Sequence, residues 1–573
     1  MTKRFPQVFI LLFLSYSLAH AAWPEDEVSY WDDMILKKAG ISLAPNEIQK
    51  WLRTRIPNLS TESNAAKWVL ELGNENFEIR EQASKELLKL NNLAIFELKK
   101  ALKSNDVEVV KRASDCLEKI SPNESTALKC AVIRLLGKSD PRLVFEYFSK
   151  IAETPELDLM TSEAILDAFN SSIKTNTSLV KLLEDFPGPK NPNARIIIAR
   201  TLAKGNPKGP AFKKLAENDA PIIRANAALA LLQEKDKNAV GLLISLLSEL
   251  KTNQMAPIAC MLNELIEDKN SEMEIKKKNS SSIAIKNSLQ EAWNKKNNHL
   301  ELSRYSPVQL MPRRILVSLA EVNLSGKICS LNPDGSISEI FRCPSYASHA
   351  HAINHSLILL IEKSRGQLVV NNAGETLEQN SPLISVLAIN IDEAGKRHIL
   401  NRQNLTVMDH TNKVLQNIEL KNDCLTGTRL TNGDYAVIFK DNSLVILNGK
   451  DLNKVKTTFS LGPKESARTI LGHQIEVTKS GSLLVPEQSG KFIKEYDQTG
   501  KLLKTINSNI NTVGSTIYGQ TFIINTNGNY LMGTSRGQTI IELNSDGMEI
   551  RNWDLNSKLY RIFSQPLGII WAS

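Results

Sequence analysis

"GKFIKEYDQTGKLLKTI" (490–506) and "GQTIIELNSDGMEIRNW" (537–553) decide how the second half of this 573-residue chain is read. Each opens on Gly, alternates apolar and polar residues, turns at Gly500 or Gly547, and alternates again. Alternation with period 2 marks half-buried strands, and Gly or Asn at the turn accepts the positive φ of a tight hairpin. Four earlier stretches align with these: "GKICSLNPDGSISEIF" from Gly326, "GQLVVNNAGETLEQ" from Gly366, "NLTVMDHTNKVLQNI" from Asn404 and "NSLVILNGKDLNKV" from Asn442. The hairpin starts follow one another at 40, 38, 38, 48 and 47 residues, and the earlier turns fall at Gly335, Gly374, Asn412 and Gly449. Gly395, Gly433, Gly481 and Gly528 each precede a hairpin start by nine residues, which fixes the register. Short apolar strands such as "LILLIE", "YAVIF" and "NYLMG" lie ahead of the hairpins. Four strands per unit, repeated six times, predict a six-bladed β-propeller over 312–573, since radial closure leaves the fewest open edges.

The first unit has no inner strand ahead of "RRILVSLA", while the chain ends in a spare apolar run, "LYRIFSQPLGIIW". The last residues are therefore predicted to complete the first blade and close the ring.

Working back toward the N-terminus, the period changes. From 65 to 270 the apolar spacing is helical. "NFEIREQASKELLKL" (76–90) and "DVEVVKRASDCLEKI" (106–120) repeat at an offset of 30, and "NDAPIIRANAALALLQ" (218–233) is a third copy. The shared stripe carries Ala and Ser where a neighbouring helix comes close. Asn or Asp with Pro, as in "SDPRL" and "NDAPI", reads as helix-start chemistry. Helix pairs recurring at this period predict an α-solenoid, because one pair cannot bury its own stripe. The middle stretch, 140–217, fits the period loosely. Residues 22–64 read as two helices capping the solenoid, with Glu25, Asp26, Glu27, Asp32 and Asp33 complementing a helix dipole. Residues 271–311 carry "KKK", "NSSS" and "NKK", with a helix around "IAIKNSLQEAWNKK", and read as a polar, basic linker.

The first 21 residues read as a signal peptide: Lys3 and Arg4, the apolar "VFILLFLSYSLA", then the small-x-small "AHA". That apolar core is shorter than the ~20 residues a spanning helix needs, and no later run reaches membrane length. The expectation is an exported protein, periplasmic or extracellular, with no transmembrane segment after cleavage. Formal charge is +8, falling to about +6 without the leader, and is interleaved. Such a mild excess, with only Trp293 among the basic residues of the linker, does not suggest nucleic acid. Six cysteines spread from Cys116 to Cys424 without a C-x-x-C do not form a disulfide scaffold. Cys116 and Cys130 fit buried helix positions.

Both halves resemble known repeat families. The helical copies are similar to HEAT-like repeats, whose second helix opens with acidic-x-x-Val-Arg; Arg80 and Arg224 match that Arg, and Val110 departs from it. "TNGNYLMGTSRGQTIIELNSDGMEI" and "KSGSLLVPEQSGKFIKEYDQTGKLL" resemble secreted propellers of the NHL-like, PQQ-like and arylsulfotransferase-like kind. That resemblance covers about 260 residues. It implies the blade fold and says little of activity.

"SYASHAHAINH" (345–355) sets His349, His351 and His355 at i, i+2 and i+6, all to one side of a strand. The register makes "SHAHAI" the inner strand of the second blade. At ~3.3 Å per residue His349 and His355 stand about 20 Å apart, too far to converge on one ion. Only His349 and His351 are close enough to share one, and no H-E-x-x-H or H-x-H…D pattern supplies further ligands. Channel lining and blade-to-blade packing both remain open for this strand. The candidate channel-lining residues are His349, His351, Arg429 and His473. No catalytic residue, metal-ligand set or cofactor site is assigned. Quinoprotein chemistry would bring eight blades and a repeated docking Trp, where this chain has Phe341, Ile506 and Trp553. The expected function is an exported, non-enzymatic interaction protein that binds protein partners, with glycan as a second ligand class. The alternative is an extracytoplasmic enzyme, arylsulfotransferase-like or quinoprotein-like, with its site at the propeller channel.

Overall fold

The computed structural model describes residues 25–566 apart from 55–58, 91–93, 121–125, 153–156, 187, 218, 267–280, 306–309, 321–324, 332–336, 344–346, 354–356, 363–365, 372–373, 380–385, 393–394, 463–474, 479, 487–491, 508–521, 525–528, 534–538, 545 and 556–557. The predicted signal peptide, His355, His473, Gly335, Gly490, Gly528 and Gly537 lie outside the described residues.

Among the described residues sixteen α-helices come first: α1 (Glu25–Lys38), α2 (Pro45–Arg53), α3 (Leu59–Glu71), α4 (Phe77–Leu90), α5 (Ile95–Ala101), α6 (Val107–Ile120), α7 (Thr126–Ser139) and α8 (Pro141–Ile151). They continue as α9 (Leu159–Ser172), α10 (Thr177–Asp185), α11 (Pro192–Gly205), α12 (Pro210–Glu217), α13 (Pro221–Gln233), α14 (Asn238–Leu246), α15 (Thr252–Ile266) and α16 (Ser282–Lys296). None is long and apolar enough to cross a membrane. Helix starts follow the cap chemistry. Asp140 accepts from the Leu143 N–H at 3.2 Å with Pro141 at the first helical position, and Asp158 accepts from the Thr161 N–H at 2.7 Å. Each such cap contributes about 1 kcal/mol. At "NDAPI" the aspartate does other work: Asp219 pairs with Arg195 at 2.6 Å, and no side chain caps α13.

The stack is solenoid-like. α7, α9, α11 and α13 lie side by side, α8, α10 and α12 form a second layer, and α14 to α16 continue the pile. Successive repeats are tied by a basic residue early in one helix reaching an acid of the next unit. Arg80 reaches Glu108 at 3.4 Å, Lys129 reaches Asp158 at 3.0 Å, Arg195 reaches Asp219 at 2.6 Å, and Arg224 reaches Glu249. The link therefore persists through the stretch where the sequence period is loose.

Two features differ from the sequence reading. First, α1 and α2 do not cap α3. They pack on α7 and α8, and Leu36, Ile48 and Leu52 join the main core with α7 to α16. Helices α3 to α6 keep a separate core around Ala83, Leu87, Leu98 and Ala113. Asp32 is accordingly not a first-turn charge: it is buried and grips Arg134, with Oδ2 2.9 Å from Nε and Oδ1 2.6 Å from Nη2. Second, the basic stretch after residue 280 is not a solvated tether. α16 buries Ile285, Leu289 and Ala292 in the main core, because its apolar residues keep helical spacing between the lysines.

The propeller has six four-stranded antiparallel sheets. Blade 1 orders β24 (Lys558–Pro566), β1 (Arg313–Ala320), β2 (Gly326–Leu331) and β3 (Ile337–Cys343). Blade 2 is β4 (Ala347–Ala352), β5 (Leu357–Glu362), β6 (Gly366–Asn371) and β7 (Thr376–Gln379); blade 3 is β8 (Ala388–Ile391), β9 (Arg397–Leu400), β10 (Asn404–Met408) and β11 (Val414–Glu419). Blade 4 is β12 (Cys424–Arg429), β13 (Tyr435–Phe439), β14 (Ser443–Asn448) and β15 (Asp451–Ser460). Blade 5 is β16 (Glu476–Val477), β17 (Leu483–Pro486), β18 (Phe492–Tyr496) and β19 (Leu502–Asn507); blade 6 is β20 (Phe522–Ile524), β21 (Tyr530–Gly533), β22 (Thr539–Leu543) and β23 (Glu549–Asp554). The ring closes as the sequence predicts: β24 pairs antiparallel with β1 from Arg313↔Pro566 to Ala320↔Lys558. Apolar cores join each blade to the next, and one of them joins blade 6 to blade 1 through Ile523, Leu531, Val317 and Ile562.

Gly374, Asn412, Gly500 and Gly547 take the positive φ expected of these hairpin turns, and Gly449 does not. Asp497 Oδ1 accepts from the Thr499 and Lys501 N–H groups, and Gly500 follows at φ 94°. A Cβ at Gly500 would stand 2.4 Å from the Phe459 ring, so both φ and space require glycine there. The ladder then shifts register between Glu495 and Tyr496, a bulge of the kind that follows such a turn.

The helical stack sits on blades 2 and 3. Trp31 and Ala127 belong to one apolar cluster with Ile353, Leu357, Leu359 and Leu377. Glu375, in the turn after β6, accepts from the Thr126 N–H at 3.0 Å and the Ala127 N–H at 2.8 Å, capping α7 from the other domain. Asn371 steadies that carboxylate at 2.7 Å. Tyr30 meets His410 edge-on at 5.3 Å. A cavity of about 20 Å³ among Trp31, Asp32, Arg134, Leu357 and Asn371 has room for roughly one water.

Candidate functional site: the channel side of blades 2 to 4

His349 and His351 lie on β4, the innermost strand of blade 2. Ala350 packs toward blade 1 with Leu316 and Ile358, so alternation turns both histidines toward blade 3. Both are half-buried. His349 Nε2 donates to the Leu387 carbonyl at 3.1 Å, just ahead of β8. That bond ties blade 2 to blade 3. No group of three or more His, Cys, Asp or Glu able to hold a metal ion occurs among the described residues.

Arg429 ends β12, the inner strand of blade 4, and stands close enough to Asp392 to act on its charge. Inner strands of successive blades run the same way. His349 is level with the start of β8 and Arg429 with its end, roughly 15 Å along the strand direction. Arg429 is therefore set apart from His349 along the strand direction, and His473 lies outside the described residues.

What does gather around Arg429 is a polar cluster that the sequence reading missed. His398 Nε2 donates to Asp392 Oδ2 at 3.2 Å across the turn that joins β8 to β9. Asn390 Nδ2 donates to the Tyr435 hydroxyl at 2.8 Å, Thr428 Oγ1 donates to Asn390 Oδ1 at 3.4 Å, and the His398 and Tyr435 rings stack at 6.0 Å. Tyr435 is wholly buried, and burial pushes its hydroxyl up, so it stays protonated at neutral pH. His398 is 8% exposed, and its Nδ1 has no partner among the described residues. The imidazole thus gives its proton-bearing nitrogen to Asp392 and keeps the other inside the fold. A general base needs its accepting nitrogen within reach of a substrate proton, and this arrangement does not present one. It locks blades 3 and 4, with Arg429 acting on the charge of Asp392 beside it. The signal in the sequence was Asp392 and His398 six residues apart around Gly395, which carries meaning only once a tight strand–turn–strand is assumed.

Burial opposes the charge on Asp392. Hydrogen bonds from His398 and the Lys396 N–H, with the charge of Arg429, nevertheless hold its carboxyl below the ordinary carboxylate range. A depressed folded value contributes stability that is present above the unfolded value of about 4 and lost as pH falls through the lower folded value. Asp392→Asn is expected to remove on the order of 1 kcal/mol at pH 7 and to flatten the acid limb of the stability–pH curve below about pH 4. Urea midpoints of wild type and variant from pH 2.5 to 7 measure it; parallel curves would refute the assignment.

No family model matches the sequence, and no curated protein matches it. Solved structures do show likeness. A protein of unknown function from Bacteroides caccae is 12% identical, with 44% of this chain and 99% of that chain covered at a TM-score of 0.34. The WD40 β-propeller domain of Doa1 is 13% identical, with 43% and 81% covered at 0.33. A streptogramin B lyase is 14% identical, with 37% and 70% covered at 0.29. Likeness at this level carries no functional argument.

Proposed function

We propose that this protein is an exported, non-enzymatic scaffold that binds protein partners through its helical stack and the rim of its propeller. The seam carries this reading: Glu375 caps α7 across the domain boundary while Trp31 and Leu357 share one core, so two repeat surfaces are held as a single rigid body. Rigid repeat surfaces bind without chemistry. The leader-like first 21 residues and the blade motifs shared with secreted NHL-like, PQQ-like and arylsulfotransferase-like propellers support export. The HEAT-like pattern of the helical copies supports protein binding. Leu70 and Val107 on α3 and α6, and Leu502 and Leu503 on β19, are exposed apolar side chains on the two surfaces.

The test is quantitative capture of partners from envelope extract by the mature full-length protein and by Leu70→Glu/Val107→Glu and Leu502→Glu/Leu503→Glu variants. A partner whose recovery falls at least tenfold with one pair, at unchanged melting temperature, supports the scaffold. The reading is overturned by a turnover that a His349→Ala/His351→Ala variant abolishes, or by recovery of glycan alone.

A further inference from the structure

Two helices of the stack carry the same charged pattern 66 residues apart: Lys129, Arg134 and Lys138 on α7 correspond to Arg195, Arg200 and Lys204 on α11. The first member of each set makes the cross-repeat ion pair already described. The second members part ways. Arg134 is gripped through two hydrogen bonds by the Asp32 carboxylate. Arg200, 4% exposed, meets only neutral amides: Nη2 donates to Gln233 Oε1 at 3.0 Å, and Nη1 lies a long 3.5 Å from Asn226 Oδ1. Burial alone bears on its guanidinium, which is pushed down to about 10, and no carboxylate acts on it. A buried cation without a counter-charge costs several kcal/mol, which makes this position unusual within its own fold.

The unpartnered atoms of Arg200 and of its Gln233 partner are both donors. Arg200 Nε has no partner among the described residues, and neither has Gln233 Nε2 on a side chain 9% exposed. The orientation of the Gln233 amide is fixed, because only its carbonyl oxygen can accept from a guanidinium. Its NH2 group, bonded to the same carbon, therefore lies within a few ångströms of Arg200. Lys204 is one turn further along α11 on the same face. It is partly buried, makes no hydrogen bond or ion pair among the described residues, and is pushed down by burial and by the charge of Arg200. Its acidic neighbours, Glu234 and Asp167, act on it from a distance, and Glu234 is already held by Lys174 at 2.6 Å. Guanidinium, amide and ammonium donors on one face of the stack, at net positive charge, are the set that recognises an oxyanion.

We infer that the Arg200–Gln233–Lys204 face is a binding site for a compact oxyanion, a carboxylate or phosphate entering beside Lys204. The anion supplies to Arg200 what Asp32 supplies to Arg134. The site goes beyond the scaffold reading and stands whether or not that reading does. Two sources offer this chemistry: a free anion, or a carboxylate carried on an acidic peptide.

The experiment is calorimetric titration of the full-length mature protein with inorganic phosphate, acetate and tri-glutamate at constant ionic strength in chloride. Saturable binding of at least one probe is expected. Lys204→Met, at the partly exposed end, should weaken it at least tenfold with the melting temperature in chloride unchanged, and Arg200→Gln should abolish it. Lys213→Met, on α12 away from the cluster, should leave it unchanged. Tri-glutamate binding at least tenfold tighter than acetate identifies a carried carboxylate; phosphate saturation without a tri-glutamate response identifies a free anion. The inference is overturned if none of the three probes saturates the wild type, or if Lys204→Met binds as wild type does.

Discussion

Truncation after Leu555 is expected to destroy the propeller as a closed body. It removes β24, and with it the whole ladder from Arg313↔Pro566 to Ala320↔Lys558. Leu559 and Ile562, both buried in the core between blades 6 and 1, go as well. Two buried aliphatic side chains alone are worth about 4–10 kcal/mol by large-to-small precedent, comparable with the entire stability of an ordinary domain. The loss leaves β1, an eight-residue strand buried from Leu316 to Ala320, with an open edge at the centre of the ring. Such an edge is a template for pairing with another chain. The truncated protein should therefore elute as aggregate in size-exclusion chromatography and lose cooperative melting of its β signal. A synthetic peptide of residues 556–573 added during refolding should restore the monomer. Monomeric, cooperatively melting protein without the peptide would show that the ring does not depend on this strand.

The second large effect is at the buried pair of Asp32 and Arg134. Burial works against the Arg134 charge and Asp32 overrides it, holding the guanidinium protonated at any accessible pH. Replacing one partner leaves the other buried and uncompensated, which costs about 3–5 kcal/mol. Arg134→Met should lower the urea midpoint of the helical transition accordingly and loosen α1 from α7. The double variant Asp32→Leu/Arg134→Met should recover most of that loss, since an apolar pair of similar volume replaces the ion pair at little net cost. A single variant within 1 kcal/mol of wild type, measured by helical circular dichroism, would contradict the burial described here.

Parts of this architecture are legible in the sequence because their physics is local. Strand alternation and turn glycines at fixed spacing report on neighbours a few residues away and yield six blades; the closure, which pairs Arg313 with Pro566, follows from counting strands, since the first unit is one short and the terminal run is one over. Helix starts at Asp140 and Asp158 are local in the same sense. What is not legible is which surfaces meet. Nothing in "YWDDMILKK" says that α1 leaves α3 to α6 aside and joins α7, because the partner of Asp32 lies 102 residues on. The repeat link Arg195–Asp219 hides behind variable loop lengths, although its chemistry matches that of Arg80–Glu108. At the channel, parity correctly places His349 and His351 on one side of a strand. It cannot say that a carbonyl of the next blade waits there, nor that Asp392 and His398 close over a turn beside Arg429.

The pairing of first strand with last, and of α1 with α7, sets an order for biogenesis. Neither half can be finished as it is made. The opening helices must wait for α7 to be synthesised before their buried aspartate finds its cation, and the innermost position of the first blade stays open until the final segment of polypeptide arrives. A chain built this way emerges with its decisive contacts still pending, so early arrest of translation leaves sticky, half-built wheels with an open strand edge.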